Sequence, residues 1–213
     1  MGSLRGVSGV LLAGVLLAAC TRASAPPSQA LLIVQTQPIA LAIPGADNGA
    51  VSQETASLLH RSLVTIDASG RIVPDAAREV PTRENGGISA DGLTITYHLK
   101  PGLHFSDGSP LQAADVVATL EALRSPHARI TSRLGLDDVV SEGATGPLDV
   151  RVRLARPFAP ILLDLCGPGN ATSILPAPTA YAIETWQAPP QTIGAGPYRI
   201  KSFQAGDRLE LEA

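Results

Sequence analysis

The chain has 213 residues, a formal net charge of −3 and 45% hydrophobic residues. Its charges are mildly acidic in balance and evenly scattered, which argues against nucleic-acid binding, because that calls for a basic patch. The apolar content is that of a globular protein, but aromatics make up only 3%, so the core must rest on Leu, Val, Ile and Ala.

Residues 1–20 read as an export signal. Arg5 supplies a positive start, and Val7 to Ala19 is an apolar run broken only by Ser and Gly. That run is too short to span a membrane, which takes roughly 20 apolar residues. It ends in Leu17-Ala18-Ala19-Cys20, which looks like a bacterial lipobox, with the Cys20 thiol as the nucleophile that accepts a diacylglyceryl group. An ordinary secretory signal with an accidental Cys is the weaker reading, because the polar, Pro-containing segment Thr21 to Gln29 follows at once as a tether. Several acyl chains anchor stably where one binds only marginally. The expected organisation is a signal peptide over 1–19, a tether over 20–29 and a folded domain over 30–213. Cleavage removes one of the 16 basic residues and none of the 19 acids, moving the net charge from −3 to −4. Lipidation of Cys20 leaves Cys166 alone, so no intramolecular disulfide is expected. Cys166 follows Ile161, Leu162, Leu163 and Leu165 and reads as a small buried apolar residue.

The domain opens with a predicted short strand at Leu31 to Val34 and a loop from Gln37 to Gly49. A helix over Val51 to Leu63 follows, with Leu58, Leu59 and Leu63 inward. Val64 to Ile66 and Arg71 to Val73 flank Asp67-Ala68-Ser69-Gly70 as a hairpin. Leu93, Ile95, Tyr97 and Leu99 then alternate with Thr94, Thr96 and His98, the two-residue period of a half-buried strand. Pro101-Gly102 and Asp107-Gly108 are turn pairs, since Pro presets φ and Gly accepts φ > 0. Val116, Val117, Leu120 and Leu123 fall at helical spacing, with Asp115, Glu121 and Arg124 outside the stripe. Asp138 to Ser141, a Gly-rich turn, and Asp149 to Leu154 form the next pair, and in its second strand Arg151 and Arg153 mark a wet face. Pro157 starts a short apolar helix ending near Cys166, and Cys166 to Pro178 reads as loop. Tyr198 to Phe203, a turn at Gln204 to Asp207, and Arg208 to Leu211 make a last hairpin.

The ordered set from Asp91 to Leu123 resembles one family, the extracytoplasmic solute-binding proteins that deliver dipeptides, oligopeptides or nickel complexes to ATP-binding-cassette importers. The likeness rests on Asp91-Gly92, Thr94, Thr96, Tyr97, Leu99, Lys100, Gly102, Leu103, Phe105, Asp107-Gly108, Pro110, Ala113, Asp115 and Val116. Ile193 to Ile200 resembles the family's GTGPY segment, and Ser57 to Val80 its YEGLVRLD segment. Three departures stand out: Ala195 replaces a Thr, Arg78-Glu79-Val80 lacks a Trp, and Gln112 stands where a capping Thr or Ser is common. Loss of a capping hydroxyl typically costs about 1 kcal/mol.

The resemblance implies a mixed α/β fold, the N-terminal part of a type II bilobal periplasmic-binding-protein architecture with a small accessory subdomain. Family members are roughly twice this length or more, so the second lobe is expected to be absent, and a fragment or a truncated gene are both readings of that. Such a piece is expected to be marginally stable and to bind weakly or not at all. In the family, the loop after the first strand, the start of the next helix and the loop after the short apolar helix line the cleft. The corresponding positions are near Asn48, Gln53, Asn170 and Thr172. Their side chains can hydrogen-bond a peptide backbone or similar solute, though each also fits an ordinary loop or cap role.

No catalytic constellation emerges, and no cofactor or metal is expected. His60, His98, His104 and His127 have no partner at metal-ligand spacing, and His98 reads as a solvated surface residue. Ser106 and Ser109 sit in turn sequence without a nucleophile elbow. Glu79 and Glu84 read as solvated loop carboxylates. Gly194-Ala195-Gly196 is no phosphate loop once Pro197 and Tyr198 follow, and reads as a chain crossing that needs unusual backbone angles. The implied function is lobe closure on a peptide or similar solute, then docking on a membrane permease, by preferential binding to the closed state. A ligand-presenting sensor module, an extracytoplasmic hydrolase and a non-functional truncated product are the rival readings.

Overall fold

The computed structural model describes residues 32–35, 49–128, 130, 133, 135–164, 173–181 and 192–213, with the backbone alone at 163, 164 and 181. The chain divides into two compact units, residues 1–34 and 35–213. In the first, Leu32, Ile33 and Val34 are exposed at 84%, 50% and 82% and carry no regular structure. The strand expected at Leu31 to Val34 is therefore not formed over its described residues, because a strand is made by a ladder and these three residues enter none. Loop residues 37–48, the signal, the tether, Cys20 and Cys166 lie outside the described residues.

The second unit is organised by an antiparallel three-stranded sheet. Strands β3 (Thr94–His98), β5 (Asp149–Leu154) and β4 (Val139–Gly146) lie in the order β3-β5-β4. The alternation read in the sequence appears as burial: Ile95, Tyr97 and Leu99 share the inner face with Val150, Val152 and Leu154. On the outer face Thr94 stands opposite Arg153 and Thr96 opposite Arg151. β4 runs through Gly143 to Gly146, so those glycines belong to a strand and the turn is reduced to Pro147 and Leu148. Register shifts at Val139/Ser141 and Ala144/Gly146 let the longer strand follow its partner.

Helix α2 (Ala113–Arg124) covers the inner face of this sheet. Val116, Leu120 and Leu123 enter the main core with Leu63, Phe105 and Leu111. The helix is buried on a second side too, where Ala118 and Ala122 pack with Leu175 and Ala180. That side is covered by α4 (Ala177–Tyr181), a helix where the sequence suggested loop. Pro178 is compatible with it because the first turn leaves N–H groups unbonded in any case. Asp115, expected outside the apolar stripe, instead joins the two helices: its carboxylate accepts from the Gln112 N–H at 2.8 Å and the Ala177 N–H at 2.9 Å. The absent capping hydroxyl at Gln112 is thereby offset by a carboxylate one turn later. At the other end, Arg133 donates to the carbonyls of Arg124 at 2.8 Å and Ser125 at 3.2 Å.

Helix α1 (Ala50–Leu59) ends four residues before the predicted boundary, because His60 is extended at φ −124° and ψ 159°. Buried Leu59 and Leu63 agree with the inward assignment, while Leu58 is half-buried. Two hairpins complete the architecture, β1 (Val64–Ile66) with β2 (Ile72–Pro74) and β6 (Arg199–Gln204) with β7 (Arg208–Glu212). Short α3 (Ile161–Asp164) begins after, rather than at, Pro157.

Candidate functional site

Among the four expected ligand-binding residues, Asn48, Asn170 and Thr172 lie outside the described residues. Gln53 sits in the first turn of α1. Its N–H donates to the Gly49 carbonyl at 3.0 Å, and its side chain is half-buried. Gly49 takes the N-cap position with extended angles, φ −60° and ψ 135°. Thr55 Oγ1 bonds back to the Val51 carbonyl at 2.8 Å one turn further on. The start of α1 thus offers a polar side chain on a rigid support, which suits solute recognition by hydrogen bonding.

The opposite end of α1 is held from two sides. Arg61 Nη1 and the Ser62 N–H both bond to Asp75, the latter at 2.9 Å, which fixes the chain as it leaves the helix. The 192–198 segment supplies the donors that a longer helix would have used. The Gly196 N–H donates to the Leu59 carbonyl at 2.9 Å, and the Tyr198 N–H to the Leu58 carbonyl at 3.1 Å. The same segment reaches the loop after Gly102, where the Ser106 N–H donates to the Gly194 carbonyl at 2.8 Å. A Cβ on Gly194 would lie 1.9 Å from the Leu59 carbonyl oxygen, and one on Gly196 would lie 2.5 Å from that of Leu58. Neither glycine has positive φ. The crossing expected here is present, but close backbone approach, not unusual angles, is what requires glycine.

His60 lies inside this junction at 5% exposure, and its Nδ1 finds no hydrogen-bond partner among the described residues. Burial pushes its imidazole pKa down from 6.5 to about 4. No signal in the sequence distinguished it from the other three histidines. His98 is not simply solvated: its Nδ1 meets Asp149 Oδ1 at 2.5 Å across the β3–β5 pair. With Arg78 and Glu79 it lines an open cleft of about 450 Å³.

Ser106 and Ser109 are engaged in turn structure. Ser109 Oγ donates to Asp107 Oδ1 at 2.6 Å, and Ser106 Oγ accepts from the Gly194 N–H at 3.4 Å. The Ser109 hydroxyl, foremost, and its N–H hold the Asp107 carboxyl below the usual range. Glu79 and Glu84 are exposed. No group of three His, Cys, Asp or Glu side chains gathers among the described residues. No helix among them is long and apolar enough to cross a membrane. The arrangement therefore offers hydrogen-bonding and charged side chains on fixed backbone.

Residues 71–213 match the model of the bacterial extracellular solute-binding proteins, family 5 Middle. The glutathione-binding protein GsiB of Pectobacterium atrosepticum is 31% identical over 167 residues, covering 78% of this chain and 30% of that protein. GsiB of Escherichia coli strain K12 is 26% identical over 165 residues, with coverage of 78% and 30%. The chain thus spans about 30% of the length of these curated relatives. Among solved structures, Haemophilus influenzae OppA in complex with the peptide RPPGFSPFR superposes with a TM-score of 0.68 at 20% identity, over 81% of this chain and 36% of that one. The nickel-histidine complex of Campylobacter jejuni NikZ gives 0.67 at 22% identity, over 84% and 34%. At such identities the superpositions establish the fold.

Proposed function

The chain belongs to the bacterial extracellular solute-binding proteins, family 5, and from that premise we propose that it forms part of the substrate-binding component of an ABC importer for peptides or related solutes. The observation that carries this reading is the family match over residues 71–213. The relatives named for glutathione binding make a small peptide the first ligand to try, since glutathione is itself a tripeptide. The protein performs no chemistry on its ligand in this reading. Binding is favoured in a closed arrangement, and the permease recognises that arrangement through the ligand's higher affinity for it.

Gln53, Asn48, Asn170 and Thr172 are the proposed polar contacts, with Gln53 held by the first turn of α1. Calorimetric titration with glutathione and with di- and tripeptides of a protein that carries this chain together with a second lobe tests the reading, since the chain by itself is expected to bind weakly or not at all. One of these ligands is expected to bind, and Gln53→Ala to weaken it about fivefold, the effect of losing one neutral hydrogen bond. Absence of binding across the set would refute peptide import.

The same proposal puts the protein at the periplasmic or cell-surface face of the cytoplasmic or outer membrane, anchored through an acyl chain on Cys20, with residues 1–19 removed and 20–29 as tether. The small residues Ala18 and Ala19 directly before Cys20 and the polar segment after it support this. A Cys20→Ala variant is expected to move from the detergent phase to the aqueous phase in a Triton X-114 partition. Equal partition of the two proteins would argue against the anchor.

A further inference from the structure

The junction at the end of α1 carries an inference that is independent of the ligand and goes beyond a role in solute binding. Three pieces of chain far apart in sequence meet there: the end of α1, the loop holding Ser106, and the 192–198 segment that leads into β6. Backbone bonds to the Leu58, Leu59 and Gly194 carbonyls tie them together. The two glycines allow a contact too close for any Cβ. His60 is enclosed at the centre, with its Nδ1 unpartnered among the described residues.

We infer that His60 is an acid-sensitive latch, whose protonation releases the 192–198 segment from the end of α1. The imidazole is favoured there in its neutral form, because an imidazolium would be buried with its Nδ1–H unpartnered among the described residues. A helix C-terminus normally favours a positive histidine. Here the Leu58 and Leu59 carbonyls already accept from Tyr198 and Gly196, and the ring is shut off from water, so desolvation prevails.

Among the described residues, the surrounding elements bring no counter-charge. Residues 192–198 contain no Asp, Glu, Lys or Arg, and their one titratable group is the Tyr198 phenol. On α1, Glu54 binds Gln35 Nε2. On the chain leaving α1, Arg61 is bound to Asp75. On the Ser106 loop, Asp107 is held by Ser109. Consistently, burial is the only cause that lowers the His60 pKa. Opening returns the ring to water and its ordinary pKa of 6.5, so acid favours the open form as pH falls from about 6.5 toward 4.

Amide hydrogen exchange of the intact protein at Gly196 and Tyr198, corrected for intrinsic rates, reads this opening directly. With the pKa at 6.5 open and about 4 closed, the opening constant should rise about 20-fold between pH 7 and pH 5. The amides of Ile95 and Tyr97 in β3 report global unfolding, which also frees His60, so the latch requires Gly196 and Tyr198 to exchange at a lower opening free energy than β3 throughout this range. His60→Phe, which keeps a ring and removes the titration, should flatten the response. A pH-independent opening in the native protein, or an undiminished rise in His60→Phe, overturns the latch. If His60→Phe does not fold, the native protein still decides: a His60 imidazole resonance titrating near 6.5 in the folded state would also overturn it.

Discussion

A methyl group at Gly194 would have to displace either the 192–198 segment or the last turn of α1, since the colliding atom is the Leu59 carbonyl oxygen and not a flexible side chain. Gly194→Ala is therefore expected to destabilise by about 1–3 kcal/mol or more, as overpacking does. Gly102 makes the useful contrast. It has φ +76° with open space around the added Cβ, so Gly102→Ala should cost only the left-handed penalty, about 1–2 kcal/mol. Urea midpoints for the two variants test the ranking, and a Gly102 variant weaker than the Gly194 variant would contradict it. His60 adds a pH dependence at the same scale. Its folded pKa, about 4, lies below the ordinary 6.5. The unfolded chain therefore takes up the proton first. Stability is greatest above pH 6.5 and falls as the pH drops toward 4, by about 3 kcal/mol for a fully buried ring. Chemical denaturation at pH 7 and pH 4.5 should show the loss, and His60→Phe should remove most of it. The glycine pair was visible in the sequence, but its reason was not, because nothing local says that Leu59 lies across from Gly194.

Helix α2 shows how an element acquires two buried sides. Its apolar stripe of Val116, Leu120 and Leu123 was legible from 3.6-residue spacing. The contacts of Ala118 and Ala122 with α4 were not, since alanine carries too little hydrophobic signal to mark a face. Asp115 bonds both the N-cap and α4, so Asp115→Ala should cost about 1–2 kcal/mol and Asp115→Asn roughly half, as an amide oxygen retains one acceptor. Thermal denaturation of the pair checks this. Arg124 and Glu142 connect α2 to β4. The Glu142 side chain is 3% exposed, so its carboxylate depends on the arginine. Arg124→Leu should cost about 3–5 kcal/mol by leaving that charge unpaired, and adding Glu142→Leu should recover much of the loss. A double variant no more stable than Arg124→Leu would place the cost in packing, not charge. Thr119 completes the joint, its hydroxyl accepting from the Leu175 N–H at 3.0 Å and donating to the Asp115 carbonyl at 2.7 Å.

For the molecule as a whole, the sequence determined what depends on neighbours in the chain. Two-residue alternation set the buried face of β3 and β5, and Gly102 and Gly108 took the positive φ their turns require. The hairpins at Asp67–Gly70 and Gln204–Asp207 followed from the same local chemistry. The mixed α/β fold and the family were legible through the fixed order of those pieces. The tertiary structure alone decided where remote backbones touch. It ended α1 at Leu59 by supplying donors from Gly196 and Tyr198, enclosed His60, and turned Asp115 from a surface acid into a joint between helices. The physical reason is range: turn angles and side-chain period are fixed within a few residues, whereas desolvation and close approach depend on remote partners, 62 positions apart for Asp115 and Ala177 and 137 for Leu59 and Gly196.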